Sequence, residues 1–295
     1  MQVAKWNHDF SHDLMFELDE FELWRDRGDE APLIIRGEAR IPGKAKGTVV
    51  ICHGFKGFAH FSFFPYLADQ LAESGFRALT FDFSGSGVGE DRENFTNRDA
   101  FTHNTYLQEL DDLDAVVGEA RVRNWIDGGY GLFGHSRGGG IAILQAARDP
   151  GVLALVTWAA ISSTNRWAPE VVADWRQGGY IPIANMRTGD VIPLSVELLH
   201  EVEEFGETRL NISAAASRVS VPWLIVHGTE DESVPVSEGE RLSSLAGPKA
   251  EALYLAGVNH SFGGKHPLTE VTPTLESVVR ESVGFFEKHI PGTGG

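Results

Sequence analysis

Ser136 stands in the stretch YGLFGHSRGGG, residues 130–140, with Gly134 two positions before it and Gly138 two positions after. An apolar run that looks like a strand ends there in a cluster of glycines, and a helical pattern follows. This is the setting of a sharp strand-to-helix turn that presents a serine hydroxyl at its tip. A residue in such a turn takes a strained backbone conformation, and glycines on either side relieve the crowding. A serine hydroxyl is a weak nucleophile until a base takes its proton, so this reading requires an acid and then a histidine further along the chain. Both are present. The loop after VPWLIVHG carries three carboxylates, Glu230, Asp231 and Glu232, of which Asp231 is the preferred acid. The loop after AEALYLAGV carries His260, preferred over the other histidines because it follows the last expected strand. Negative charge developing on a substrate oxygen would be met by two backbone N–H groups. Arg137, directly after the serine, is expected to supply one, and Phe55, in the loop after TVVICHG, the other. His53 and Gly54 would shape that loop. Lys56 is expected to be an exposed lysine, with substrate contact as the less common alternative.

These residues need a scaffold, and the chain supplies strands alternating with helices. Strand-like runs fall at 47–54, 76–85, 129–136, 152–160, 221–228 and 250–258. Several are apolar nearly throughout, as expected when helices cover both faces of a parallel sheet. Helical patterns lie between them in FFPYLADQLAESG, near 103–125, and in GGIAILQAARD, SEGERLSSLAG and LESVVRESVGFFEKH. The fold class is therefore doubly wound α/β with a mostly parallel sheet. FELWRDRG and LIIRGEARIPG are expected to add antiparallel strands at one edge. Active-site groups in such sheets gather at the carboxyl ends of the strands, where Ser136, Asp231 and His260 are all expected. The interval 162–217 is too long for an ordinary connection and reads as an inserted cap, leaving 1–161 and 218–295 as the core domain.

With 42 Asp and Glu against 25 Lys and Arg, the chain of 295 residues has a formal charge of −17. Long-range repulsion of nucleic acid and anionic membranes is expected, and neither is a predicted partner. In QELDDLDAVV, the stripe of Leu107, Leu110, Leu113 and Val117 leaves Glu109, Asp111, Asp112 and Asp114 for a solvated face rather than a metal site. The longest apolar run, VLALVTWAAI, is half of the roughly 20 residues a membrane span needs. The amino-terminal residues show no secretory pattern, which makes the cytoplasm the expected location. The single cysteine, Cys52, reads as a buried thiol, and the PGTGG tail as a mobile end.

Taken together, HGFKG, DFSGSG, GHSRGG, HGTEDESVP and GVNHSF occur in the order and spacing of α/β-hydrolase fold serine hydrolases. The chain resembles bacterial carboxylesterases related to dienelactone hydrolases and to cinnamoyl or feruloyl esterases. That resemblance implies Ser136 as nucleophile, His260 as general base, Asp231 as its orienter, and the Phe55 and Arg137 N–H groups as oxyanion donors. It departs from dienelactone hydrolases proper, which use cysteine. The expected activity is hydrolysis of a small-molecule ester, on small or aromatic acyl groups, through an acyl-enzyme and without metal or organic cofactor. Trp158, Trp167, Trp175, Tyr180 and the phenylalanines of GFAHFSFF are candidates for the pocket wall. Cleavage of an amide, a peptide or a carbon–carbon bond with the same three residues is the alternative. A ligand-binding relative without catalysis is the rival from another class. Oligomeric state is not legible.

Overall fold

The computed structural model describes residues 16–28, 30–185 and 189–292. Most of the amino-terminal stretch, 1–15, and the last residues of the tail, 293–295, lie outside the described residues. An antiparallel hairpin opens the fold: β1 (Phe16–Arg27) pairs with β2 (Glu30–Pro42). Then come β3 (Gly47–Cys52), α1 (Phe64–Glu73), β4 (Phe76–Asp82), a short α2 (Arg98–Thr102), α3 (Tyr106–Val122), β5 (Tyr130–His135), α4 (Arg137–Ala146) and β6 (Val152–Trp158). The sheet resumes only with β9 (Trp223–Gly228), α8 (Val236–Ala246), β10 (Ala250–Leu255) and α9 (Pro273–His289). Between them lie α5 (Pro169–Gly178), the antiparallel pair β7 (Tyr180–Ala184) and β8 (Val191–Ser195), α6 (Glu197–Phe205) and α7 (Ile212–Arg218). The main sheet runs β1-β2-β4-β3-β5-β6-β9-β10, parallel from β4 to β10, with the hairpin antiparallel at the β4 edge as expected.

Alternate residues of each central strand enter different cores, because successive side chains point to opposite faces. Val50, Cys52, Leu132, Leu155 and Ile225 pack with α3, α4 and α8, while Val49, Ile51, Phe133, Val156 and Val226 pack with α1 and α9. With both faces covered, the continuous apolar runs are accounted for, and burying each such Leu, Val or Phe contributes about 1.5–3 kcal/mol. Burial also pushes the Cys52 thiol well above its ordinary pKa, so it is held neutral inside the core.

One expectation about the helices changes. Glu109 and Asp112, expected on the solvated side of α3, are both buried. Glu109 pairs with Arg137, and Asp112 accepts from Arg25 at 2.5 Å and from the Ser84 backbone and hydroxyl at 2.8 and 2.7 Å. A four-residue apolar stripe was too narrow a guide to what α3 buries: the helix is covered on more than one side, and ion pairing makes the interior tolerable for carboxylates. Within 162–217, α7 packs on α4 and α8. Among the described residues, no helix is long and apolar enough to cross a membrane.

Candidate active site

Ser136 is the residue between β5 and α4, with φ 57° and ψ −122°. A non-glycine residue rarely holds a positive φ unless its surroundings enforce it. Here the Ser136 N–H donates to the Trp158 carbonyl at 2.9 Å, and its own carbonyl accepts from Gly139, Gly140 and Ile161 at 3.0, 3.2 and 3.2 Å. The flanking glycines act through the backbone. A Cβ on Gly134 would lie 2.4 Å from the Gly138 carbonyl oxygen, and one on Gly138 would lie 2.2 Å from that of His53. Their absence lets the start of α4 press against the end of β3.

Asp231 and His260 arrive on adjacent loops that are knit together: Thr229 N–H donates to Leu255 and Glu230 N–H to Val258, at 2.9 and 3.0 Å. His260 Nδ1–H donates to Asp231 Oδ2 at 2.7 Å. The other carboxylate oxygen, Oδ1, accepts from the Ser233 and Val234 N–H groups, both at 2.9 Å. Burial would raise the Asp231 pKa, but hydrogen bonds from His227 and His260 and the charge of His260 outweigh it and hold the carboxyl well below its ordinary value. An ionised carboxylate only accepts, so Nδ1 carries the proton and Nε2 is left with its lone pair. Glu230 and Glu232 are exposed on the same loop.

Ser136 and His260 both line a cavity of about 400 Å³, together with Phe55, Lys56, Tyr106, Arg137, Ile161, Arg166, Trp167, Ser233 and Val234. The loop bearing Phe55 lies against the elbow, since a Cβ on Gly54 would be 2.9 Å from Ser136 Cβ. His53 fixes this loop: its Nδ1–H donates to the Gly54 carbonyl at 2.9 Å, and its Nε2 accepts from Phe83 N–H at 3.0 Å. Burial lowers the His53 pKa and keeps the ring neutral, as these two roles require. Arg137 occupies the first turn of α4, where a helix leaves its N–H groups without intrahelical partners. Its side chain is turned away into the protein, donating to Glu109 at 2.9 Å and to Asn104 at 2.6 Å and stacking between Phe55 and Tyr106.

Of the four aromatic residues expected in the pocket wall, Trp167 lines the cavity. Trp158 is 0% exposed on the α9 side of the sheet, donating to Ser282 at 3.0 Å, because its strand register turns it toward that core. Trp175 is also 0% exposed, packed behind Trp167 with its N–H on the Leu194 carbonyl. Tyr180 is 50% exposed on β7, outside the cavity lining. Phe58, Phe63 and Phe64 are buried packing residues and lie outside the lining as well.

His135 is a residue that sequence reasoning passed over. Its Nε2–H donates to the His260 carbonyl at 3.0 Å, and burial first, then the charge of His260, pushes its pKa down to about 3. A neutral ring thus braces the His260 loop across a wide pH range. A second group, His60, ties the Phe55 loop to β2 by bonding Glu38 and Glu93, both at 3.0 Å. Burial alone would lower the His60 pKa, but the hydrogen bond and charge of Glu38 raise it. A raised folded pKa gives stability that is full below the unfolded value of about 6.5 and is lost as pH rises through the higher folded one. The melting temperature should therefore decline more steeply above about pH 6.5 in the wild type than in His60→Gln, and equal slopes would refute this.

A doubly wound eight-stranded sheet, with Ser136 on a positive-φ elbow at the carboxyl end of β5 and its partners Asp231 and His260 after β9 and β10, two and three strands away, defines an α/β-hydrolase-fold protein. Within that class, residues 43–183 match the family described as serine aminopeptidase, S33. An uncharacterized 31.7 kDa protein in the traX-finO intergenic region of Escherichia coli is 29% identical over 115 residues, covering 39% of this chain and 37% of its own. The 2,6-dihydropseudooxynicotine hydrolase of Paenarthrobacter nicotinovorans is 26% identical over 203 residues, covering 64% of this chain and 45% of its own. The chain thus spans less than half the length of these curated relatives. Among solved structures, Est1E from Butyrivibrio proteoclasticus with ferulic acid bound superimposes with a TM-score of 0.68 at 19% identity, covering 91% of this chain and 99% of that one.

Proposed function

We propose that the protein is a serine carboxylic ester hydrolase that works through an acyl-enzyme. The observation that carries this reading is the 2.7 Å bond from His260 to an ionised Asp231, with His260 and the strained Ser136 on one cavity. His260 Nε2 would take the Ser136 proton as Oγ attacks the ester carbonyl, and the Phe55 and Arg137 N–H groups would receive the oxyanion. Collapse of the tetrahedral intermediate expels the alcohol, protonated by His260, and leaves the acyl group on Ser136. Water, deprotonated by the same imidazole, then releases the carboxylic acid and restores the serine. In this reading residues 162–217 act as a cap, and Phe55, Tyr106 and Trp167 form an aromatic wall for a small or aromatic acyl group. The ferulic acid bound to Est1E supports the same class of substrate.

The match to serine aminopeptidases favours peptide cleavage as a second reading. A site for a free α-ammonium group is expected to offer it a carboxylate. The cavity lining holds, among the described residues, no Asp or Glu, and its cations Arg137 and Arg166 are already paired while Lys56 is not, which supports the ester reading. Labelling of the purified protein with a fluorophosphonate, followed by peptide mapping, is expected to place one adduct on Ser136. Absence of an adduct, or an adduct on another serine alone, would overturn the proposal.

A further inference from the structure

The cations of the cavity lining are not equivalent. Arg137 is neutralised behind the wall by Glu109, and Arg166 by Glu238. Lys56 has no carboxylate partner among the described residues; its ammonium donates to the Ala184 carbonyl of β7 at 3.3 Å. Lys56 is exposed at the cavity, and desolvation by the protein on its buried side lowers its pKa, which leaves an accessible and unpaired cation beside the site. Its backbone is also unusual, at φ 61°, where a glycine would be the inexpensive choice. The chain instead places a long cationic side chain there, next to the Phe55 expected to donate to the oxyanion and facing the same cavity as Ser136.

We propose that Lys56 is a specificity-determining residue that receives a carboxylate of the substrate, so that the natural substrate is an ester carrying a free carboxylate group. This rests on the ester-hydrolase reading and deepens it. The formal charge of −17 opposes such a substrate at long range, but exposed charges are screened beyond about 8 Å at physiological salt. Inside the cavity the nearest uncompensated charge is what the substrate meets, and complementary charge there sets preference among otherwise similar ligands. The aromatic wall would hold the rest of the molecule while Lys56 orients its charged end.

Two matched pairs of esters test the proposal. The para-nitrophenyl half-ester of succinic acid is compared with the same ester of succinamic acid, and para-acetoxybenzoate with para-acetoxybenzamide. These place a carboxylate, or a neutral amide of similar size, on the acyl and on the alcohol side. The carboxylate member of at least one pair should have a kcat/KM about fivefold higher, mainly through KM, the upper end for a charge pair made by an exposed lysine. That ratio should fall toward unity in about 0.5 M salt and in Lys56→Gln, and should persist in Lys56→Arg. A ratio near unity in both pairs while the amides are hydrolysed would overturn the proposal, as would a ratio that survives Lys56→Gln or is insensitive to salt. If no ester is cleaved, the ester-hydrolase reading fails by itself, and calorimetric titration with succinate and para-hydroxybenzoate then decides the anion site. Binding that Lys56→Gln abolishes would support it, and no binding by the wild type would overturn it.

Discussion

Ser136→Ala is expected to lower ester turnover by a factor on the order of a million while leaving the fold in place. Loss of the nucleophile in a serine hydrolase removes the covalent route and leaves only what binding and oxyanion stabilisation contribute. The folded state should tolerate the change because the Ser136 hydroxyl does not cap α4, so no helix N–H loses a partner. The strain at φ 57° is carried by the backbone and is the same for alanine. Turnover measured with an activated ester, beside a thermal melt of both proteins, tests this. A variant that keeps a tenth of wild-type turnover would exclude Ser136 as the nucleophile.

Asp231→Asn should reduce turnover by thousands-fold. Oδ1 of Asp231 is committed to the N–H groups of Ser233 and Val234, both of which require an acceptor. An asparagine must keep its oxygen there, which turns its NH₂ toward the His260 Nδ1 position now 2.7 Å from Oδ2. Two donors cannot share that bond, so the imidazole moves its proton to Nε2 and can no longer accept the proton of Ser136. Replacement of the triad aspartate by asparagine in a serine protease costs about ten thousand-fold for this reason. Glu230→Gln and Glu232→Gln, exposed on the same loop, provide the comparison. If either lost as much activity, or if Asp231→Asn kept most of it, the acid would be misassigned. The same variant carries a signature in acid unfolding. Because the folded Asp231 pKa is depressed, its contribution to stability is full above the unfolded value of about 3.9 and is lost as pH falls through the lower folded one. That portion of the acid transition should be missing in Asp231→Asn.

What could be read from the sequence was local chemistry. The elbow around Ser136 is legible because a strained turn next to packed backbone demands glycines at fixed offsets, and the loops of Asp231 and His260 are legible because each follows an apolar strand. The edge hairpin of β1 and β2 declares itself in the same way. Side-chain destinations that depend on distant partners are not declared. Glu109 and Asp112 look like the wet side of α3 until Arg137, 28 residues later, and Arg25, 87 residues earlier, are brought to them. Trp158 and Trp175 are large and apolar, which predicts burial but not which face of the sheet they will occupy. The antiparallel pair of β7 and β8 escaped notice because YIPIA and VIPLS are short and interrupted by prolines. Lys56 is exposed as expected, but its positive φ and missing counter-charge exist only in three dimensions.

The ends of the segment between β6 and β9 meet at one place. Ile161 N–H is bonded to the Ser136 carbonyl, Ser162 N–H donates to Glu238 of α8 at 2.6 Å, and the Ser213 hydroxyl of α7 donates to the Ser162 carbonyl at 2.9 Å. The stretch between 163 and 211 is thus held at a stapled root that shares its bonding with the elbow, and it touches the body again where Glu201 accepts from the Tyr106 and Leu107 N–H groups and Arg98 donates to the Val191 carbonyl. Such a socket separates two kinds of evolutionary change. A change confined to 163–211 leaves the Ile161 and Ser162 bonds beside the elbow in place, whereas a change at the root would disturb the segment and the elbow at once.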